Sequence, residues 1–275
     1  MERDPFEPGY DGGRDPDRDP LRERLHEPGD EPPVLIRDAA PDVLAPIDPS
    51  APVSGHVRAP ETHVSPVDSP EHDWYLARDV VRPAFRPVGT HGLALESIDR
   101  ATLHAQATKS HAQPVVDSGP AGLPVVYVIP AQGFDIVVNG DHVLSWGIEP
   151  VELQDAAMRN LAAWAATAPW TEEVSGERRL ITSDTGDGMD AVRILLPDAL
   201  DHLGNELRST GRVLVGIPER HLLCAATLRS GDDEFATLFA DFVVEQSGGA
   251  DEPIDRRLFE IVDGRLVEFA GLGAA

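Results

Sequence analysis

The stretch Val125-Val126-Tyr127-Val128-Ile129-Pro130-Ala131-Gln132-Gly133-Phe134-Asp135-Ile136-Val137-Val138-Asn139-Gly140 decides the fold class. Two runs rich in β-branched and aromatic residues meet across Ala131-Gln132-Gly133, which is hairpin composition. Asn139-Gly140 is a second turn signal and predicts a third antiparallel strand over His142 to Trp146. Pro150 then suits a first helical position. Leu153, Ala157, Leu161 and Trp164 recur on one helical face before Pro169, so a helix is expected to pack on this sheet.

Farther along, Arg179 to Ser183 and Met189 to Leu195 read as two strands joined by Asp184-Thr185-Gly186-Asp187-Gly188. Pro197 opens a second helix with Leu196, Leu200, Leu203 and Leu207 on its apolar face, and Gly211 ends it. Val213 to Ile217 and Leu222 to Leu228 form the next strand pair. Acids at Asp232, Asp233 and Glu234 mark a helix start, followed by Phe235, Leu238, Phe239, Phe242 and Val243 at amphipathic spacing. Asp263-Gly264 between Arg257 to Val262 and Arg265 to Phe269 signals a tight type I′ hairpin. The class is therefore α+β, with a largely antiparallel sheet built from hairpins and about three packed helices over residues 124–275.

A weak internal echo runs through this region. Val128-Ile129-Pro130 and its following hairpin, helix and Arg178-Arg179-Leu180 resemble Gly216-Ile217-Pro218 and its sequel to Arg256-Arg257-Leu258. Duplication would produce this pattern, although the helix expected after Pro197 has no counterpart in the first half.

Residues 1–73 hold 14 of the 25 prolines and 18 acidic against 7 basic residues, so they read as a disordered acidic, Pro-rich tail. The tail reads as a solvated segment or, alternatively, as a recruitment arm, for which the apolar Val34-Leu35-Ile36 is the expected docking segment. Residues 74–123 read as a linker into the fold: Trp74, Tyr75, Leu76, Val80 and Val81 begin a short helix that Pro83 breaks, and a second short helix is expected around Ile98 and Leu103.

The formal charge of −25 disfavours nucleic acid and anionic membrane as partners and favours a basic protein. One cysteine, Cys224, rules out an internal disulfide and reads as a small core hydrophobe. No apolar run approaches membrane-spanning length and the N-terminus shows no signal core, so a soluble, cytoplasmic protein is expected. Oligomeric state is not legible.

Chemistry-bearing motifs are sparse. Asp184, Asp187 and Asp190 lie within seven residues around two glycines, which is the oxygen-rich loop a hard cation wants and equally the composition of a structural turn. On a regular strand Asp190 and Arg193 would face opposite sides, each seeking its own partner. Arg220 and His221 follow Pro218 in a strand-to-strand turn. Asp187, Asp190, Arg193 and Arg220 are thus the candidate site. There is no nucleophile elbow, phosphate-binding loop or dinucleotide fingerprint, and no cofactor is expected. A non-catalytic interaction module is the leading expectation. A metal-assisted, phosphoesterase-like hydrolase using Asp184, Asp187 and Asp190, with Arg193 or Arg220 neutralising an anion, is the alternative.

Asp187-Gly188-Met189-Asp190-Ala191-Val192-Arg193-Ile194-Leu195 resembles the YtpQ-like family of bacterial proteins, the domain of unknown function 1444. So do Gly211 to Pro218, the helix start at Trp146-Gly147 with Asn160 later in that helix, and the closing Asp263-Gly264 hairpin. The likeness spans residues 74–272 and implies a bacterial cytosolic setting, with no catalytic residues to carry over. Relatives generally carry a folded N-terminal region where this chain has its Pro/Asp-rich tail, and often an acid where it has His221.

Overall fold

The structure, a computed structural model, describes residues 69–271 apart from 106–110, 132, 177 and 209–210. The tail, including Val34 to Ile36, lies outside the described residues except at its end. Residues 69–73 are tied to the fold: the Glu71 carbonyl accepts from Trp146 Nε1 at 3.1 Å, and Asp73 caps helix α1 (Trp74–Ala77) through Tyr75 N at 2.8 Å.

The fold is α+β, with two mostly antiparallel sheets. The first contains β1 (Arg82–Phe85), β2 (Leu93–Ala94), β3 (Val115–Ser118), β4 (Pro124–Ala131) and β5 (Phe134–Val137). β4 is its spine: β1 pairs along one edge, while β3 and β5 lie end to end along the other. Only β2 and β3 run parallel. The segment 74–123, read as a linker, thus supplies three of the five strands, and short helix α2 (Arg100–Ala105) buries Leu103. Its sequence gave weak periodicity because these strands are only two to four residues long.

The third strand expected after Asn139-Gly140 is instead helix α3 (Gly140–Trp146). Asparagine is as good an N-cap as a turn former: Asn139 Oδ1 accepts from His142 N, and His142 Nδ1 accepts from Asn139 N, both at 3.1 Å. Gly147, at φ 70°, ends the helix. Helix α4 (Pro150–Ala165) follows as expected. Its Leu153, Ala156 and Ala157 join the core of the first sheet and its Leu161 and Trp164 the core shared with the second, so one helix serves both cores. Gln154 Nε2 and the Tyr127 hydroxyl both donate to Asp117 Oδ2, pinning α4 across β3 and β4. Burial first, then the Asp117 charge, push the tyrosine pKa up. Asn160 Nδ2 donates to the Arg78 and Val81 carbonyls, fixing the chain between α1 and β1.

The second sheet runs β11 (Arg265–Glu268), β10 (Leu258–Val262), β8 (Arg212–Glu219), β9 (Leu222–Leu228), β7 (Arg178–Ser183) and β6 (Thr171–Ser175), antiparallel throughout. Asp263 and Gly264 both have positive φ, as a type I′ turn requires. Helix α5 (Pro197–Leu207) covers one face and helix α6 (Asp233–Gly249) the other. Every residue of β9 is therefore buried although the sheet is antiparallel. Cys224 sits under α6, its thiol pKa pushed up to about 12 by burial, which leaves it inert at neutral pH. The hairpin β6–β7 pairs with β9, so the two echoing halves do not build equivalent units.

Two further expectations are corrected. Residues 189–195 form no strand: Ala191–Leu195 is a 3-10 helix, and a short apolar run before proline does not distinguish the two. On α6 the buried stripe is Ala236, Phe239, Val243 and Ser247, whereas Leu238 is 55% exposed and Phe235 and Phe242 are half-buried. The helix is rotated so that part of its apolar face points outward. Among the described residues no helix is long and apolar enough to cross a membrane.

Candidate functional site

The charged loop that drew attention in the sequence folds inward. In a 3-10 turn, residues three apart share a face, so Asp190 and Arg193 meet through one hydroxyl rather than pointing apart. Ser183 Oγ donates to Asp190 Oδ1 at 2.8 Å and accepts from Arg193 Nη1 at 3.0 Å. Thr185 supplies two more donors to Asp190, its backbone N–H to Oδ1 and its hydroxyl to Oδ2, each at 3.0 Å. Arg193 Nη1 and Nη2 also donate to the carbonyls of Ala165, the last residue of α4, and of Ala168 and Pro169 just after it, with the guanidinium 3.7 Å from the Trp170 ring centroid. Burial pulls the Arg193 pKa below its usual value, and the Asp190 charge opposes that. A cation among the last carbonyls of a helix suits the negative end of its dipole.

This arrangement leaves little for a ligand. Asp190 is fully buried, Asp187 accepts from Trp164 Nε1 at 3.0 Å, and Asp184 is exposed. The three aspartates do not converge, and among the described residues no group of three or more His, Cys, Asp or Glu side chains is placed to hold a metal ion. Asp187, Asp190 and Arg193 hold the loop and the end of α4 together.

Arg220 belongs to a different place. In the β8–β9 turn, its Nη2 lies 2.5 Å from Asp135 Oδ2, its Nη1 donates to Glu252 Oε2 at 2.9 Å and its Nε to the Gly188 carbonyl at 3.3 Å. A Cβ on Gly188 would fall 2.5 Å from that Nε, and its φ of 73° also demands glycine. Asp135, from β5, is clamped on its other side by Arg82 of β1 at 3.2 Å, and its side chain is only 8% exposed. These groups stitch the first sheet to the second, and Asp135, Arg220 and Glu252 among them line a cleft of about 910 Å³.

Five carboxylates line the cleft, from Asp135, Glu219, Glu245, Asp251 and Glu252, against the guanidinium groups of Arg86 and Arg220. Arg220 is already spent on two of them, and among the described residues Arg86 donates only to the carbonyl of Phe85. Among the described residues Glu219, Glu245 and Asp251 have no ion-pair partner. The C-terminus of α6 opens into the same cleft at Glu245, Gln246 and Gly249, with no basic residue in its last turn to offset the dipole. A Cβ at Gly248 or Gly249 would meet nothing within 4 Å, so the side of the helix those two glycines face is open. Phe134, 64% exposed, also lines the cleft, and among the described residues the buried Nδ1 of His221 has no hydrogen-bond partner.

Of the residues singled out from sequence, the cleft contains only Arg220 and its neighbour His221. Asp135, Glu219, Glu245, Asp251, Glu252 and Phe134 went unmarked because they arrive from separate elements. One signal was present: Asp135 places a charge inside an apolar strand, where it needs a partner. The chain matches no family model, no curated protein and no solved structure.

Proposed function

We propose that this protein is a non-catalytic interaction module that binds a basic segment of a partner protein in the cleft beside Arg220. The observation that carries the reading is the surplus of negative charge there. Among the described residues Glu219, Glu245 and Asp251 have no ion-pair partner, and they line the cleft with the end of a 17-residue helix that has no basic residue in its last turn. Lysine and arginine side chains of a partner would take the place of the missing counter-charges, and the exposed face of Phe134 offers a cation–π contact. The total charge of −25 steers such a partner toward the chain from a distance. Kinship with the YtpQ-like family and a bacterial cytosolic setting are part of the same proposal and rest on the sequence motifs.

Calorimetric titration of the full chain with a lysine–glycine peptide tests it. Binding is expected, weakening as monovalent salt rises. It should weaken far more in a Glu219→Gln, Glu245→Gln, Asp251→Asn variant than in one neutralising the exposed Glu96, Asp155 and Asp201. Equal losses in the two variants, or no binding to the wild-type chain, would refute the proposal.

A further inference from the structure

Between α6 and the β6–β7 hairpin lies a second groove of about 380 Å³, lined by Val174, Leu180, Phe235, Leu238 and Phe242. Val174 is 63% exposed and Leu238 is 55% exposed, so this is apolar surface without cover. Its nearby cations are already matched. Arg178 pairs with Asp232 and lies 4.9 Å over the Phe235 ring, and Arg179 pairs with Glu172 and Glu206.

Both sites are built on the same flank of α6. Phe235, Leu238 and Phe242 line the groove, and Glu245, Gln246 and Gly249 line the cleft. In sequence these six fall at i, i+3, i+7, i+10, i+11 and i+14, which places them on one helical face. Phe242 and Gln246 are i, i+4 neighbours, so the apolar half passes into the acidic half within one turn. The stripe from Leu238 to Gly249 is roughly 16 Å long at about 1.5 Å per residue.

We infer that groove and cleft are one docking surface, and that its occupant is an amphipathic partner segment. That segment carries an apolar anchor for Leu238, Phe242 and Val174 at one end and lysine or arginine for the cleft at the other. A second copy of this chain does not fit, because each copy bears a charge of −25 and would bring acid to an acidic cleft. The required separation of anchor and cations is about five residues of extended chain. This inference rests on the cleft reading and adds the partner's apolar half and its spacing.

The test compares three peptides on the full chain by calorimetry: lysine–glycine alone, the same peptide with a Leu-Phe pair directly beside the lysines, and one with the pair set off by an extended spacer of about 16 Å. The spaced peptide is expected to bind about tenfold tighter than lysine–glycine alone, the gain from covering roughly one apolar side chain. Leu238→Ser and, independently, Val174→Ser should each reduce that gain and leave the plain peptide unaffected. Both positions are exposed, and a thermal melt confirms that each variant folds. If the plain peptide binds but the spaced pair adds nothing, or its gain survives both substitutions, this inference fails and the cleft reading stands. If the plain peptide does not bind at all, both fail.

Discussion

The clusters around Arg193 and Arg220 are made from the same parts and end in opposite states. Each centres on an arginine, each involves a buried aspartate, and the Asp184 to Asp190 loop separates them: its Gly188 carbonyl accepts from Arg220 while its Asp190 is joined to Arg193 through Ser183. Around Arg193 the donors and acceptors are matched within the chain, with Ser183 relaying between cation and anion. Around Arg220 the account does not balance. Among the described residues three carboxylates have no ion-pair partner, the cleft holds five carboxylates against two guanidinium groups, and a buried histidine nitrogen has no hydrogen-bond partner. The density of charged residues in sequence marks both clusters equally; what separates a brace from a site is whether the groups have already satisfied one another.

The largest effect is expected on the closed side. Arg193→Met leaves Asp190 buried without its cation and strips three carbonyls of their donor, so urea denaturation should show a loss of about 3–5 kcal/mol. The surviving folded protein should bind lysine–glycine peptide as before. A loss below about 1 kcal/mol would reopen Arg193 as a functional residue. Phe239→Ala is expected to cost about 3–5 kcal/mol, because Phe239 is 5% exposed on the buried face of α6, whereas Leu238→Ser next to it should stay within about 0.5 kcal/mol. Equal costs at the two positions would erase the distinction between the buried and the docking face of that helix.

Histidines sharpen the same contrast. His142 is held neutral, its Nδ1 accepting from Asn139 N, and burial depresses its pKa against the opposing pull of Glu71. Its unfolded pKa of about 6.5 then exceeds its folded one, so the unfolded chain binds more protons in between. Stability from this group is present above about pH 6.5 and is lost as pH falls toward and through the folded pKa. Unfolding free energy measured against pH should therefore fall on acidification, and fall less steeply in His142→Gln. Identical slopes would show that the capping arrangement does not depend on a neutral imidazole. The smallest effect belongs to Asp187→Asn, expected within about 0.5 kcal/mol because Asp187 is exposed and asparagine can still accept from Trp164. Millimolar magnesium should leave the melting temperature of the wild-type chain unchanged, and a rise abolished by Asp187→Asn would restore the metal-loop reading.

Local pattern made the hairpins β4–β5, β8–β9 and β10–β11 and the helices from Pro150, Pro197 and Asp233 legible, because each is written within a few turns of chain. Asn139-Gly140 misled because the residue that best turns a strand also best caps a helix. Ala191 to Leu195 misled because five buried residues carry too little periodicity to choose a period. The division into two sheets was beyond local reading, since β7 chooses β9 across 40 residues of intervening chain, roughly the span of Ser183 to Leu223. The site followed the same rule. Arg220 was visible as a turn arginine, but its partners Asp135 and Glu252 come from opposite ends of the fold. Gly147, Asn160, Asp190 and Arg193 were legible as sequence signals, and each ends or braces a helix here, so they speak to architecture.

Charge reversal in the cleft tests the central claim most directly. Affinity for the lysine–glycine peptide is measured for the full wild-type chain, for Glu219→Lys with Glu245→Lys, and for a control with Glu96→Lys and Asp201→Lys on exposed surface elsewhere. The cleft variant should lose about tenfold or more in affinity relative to the control and gain affinity for a glutamate–glycine peptide. Equal weakening in both variants would mean that the overall negative charge, and not this cleft, attracts the peptide, and would contradict the account.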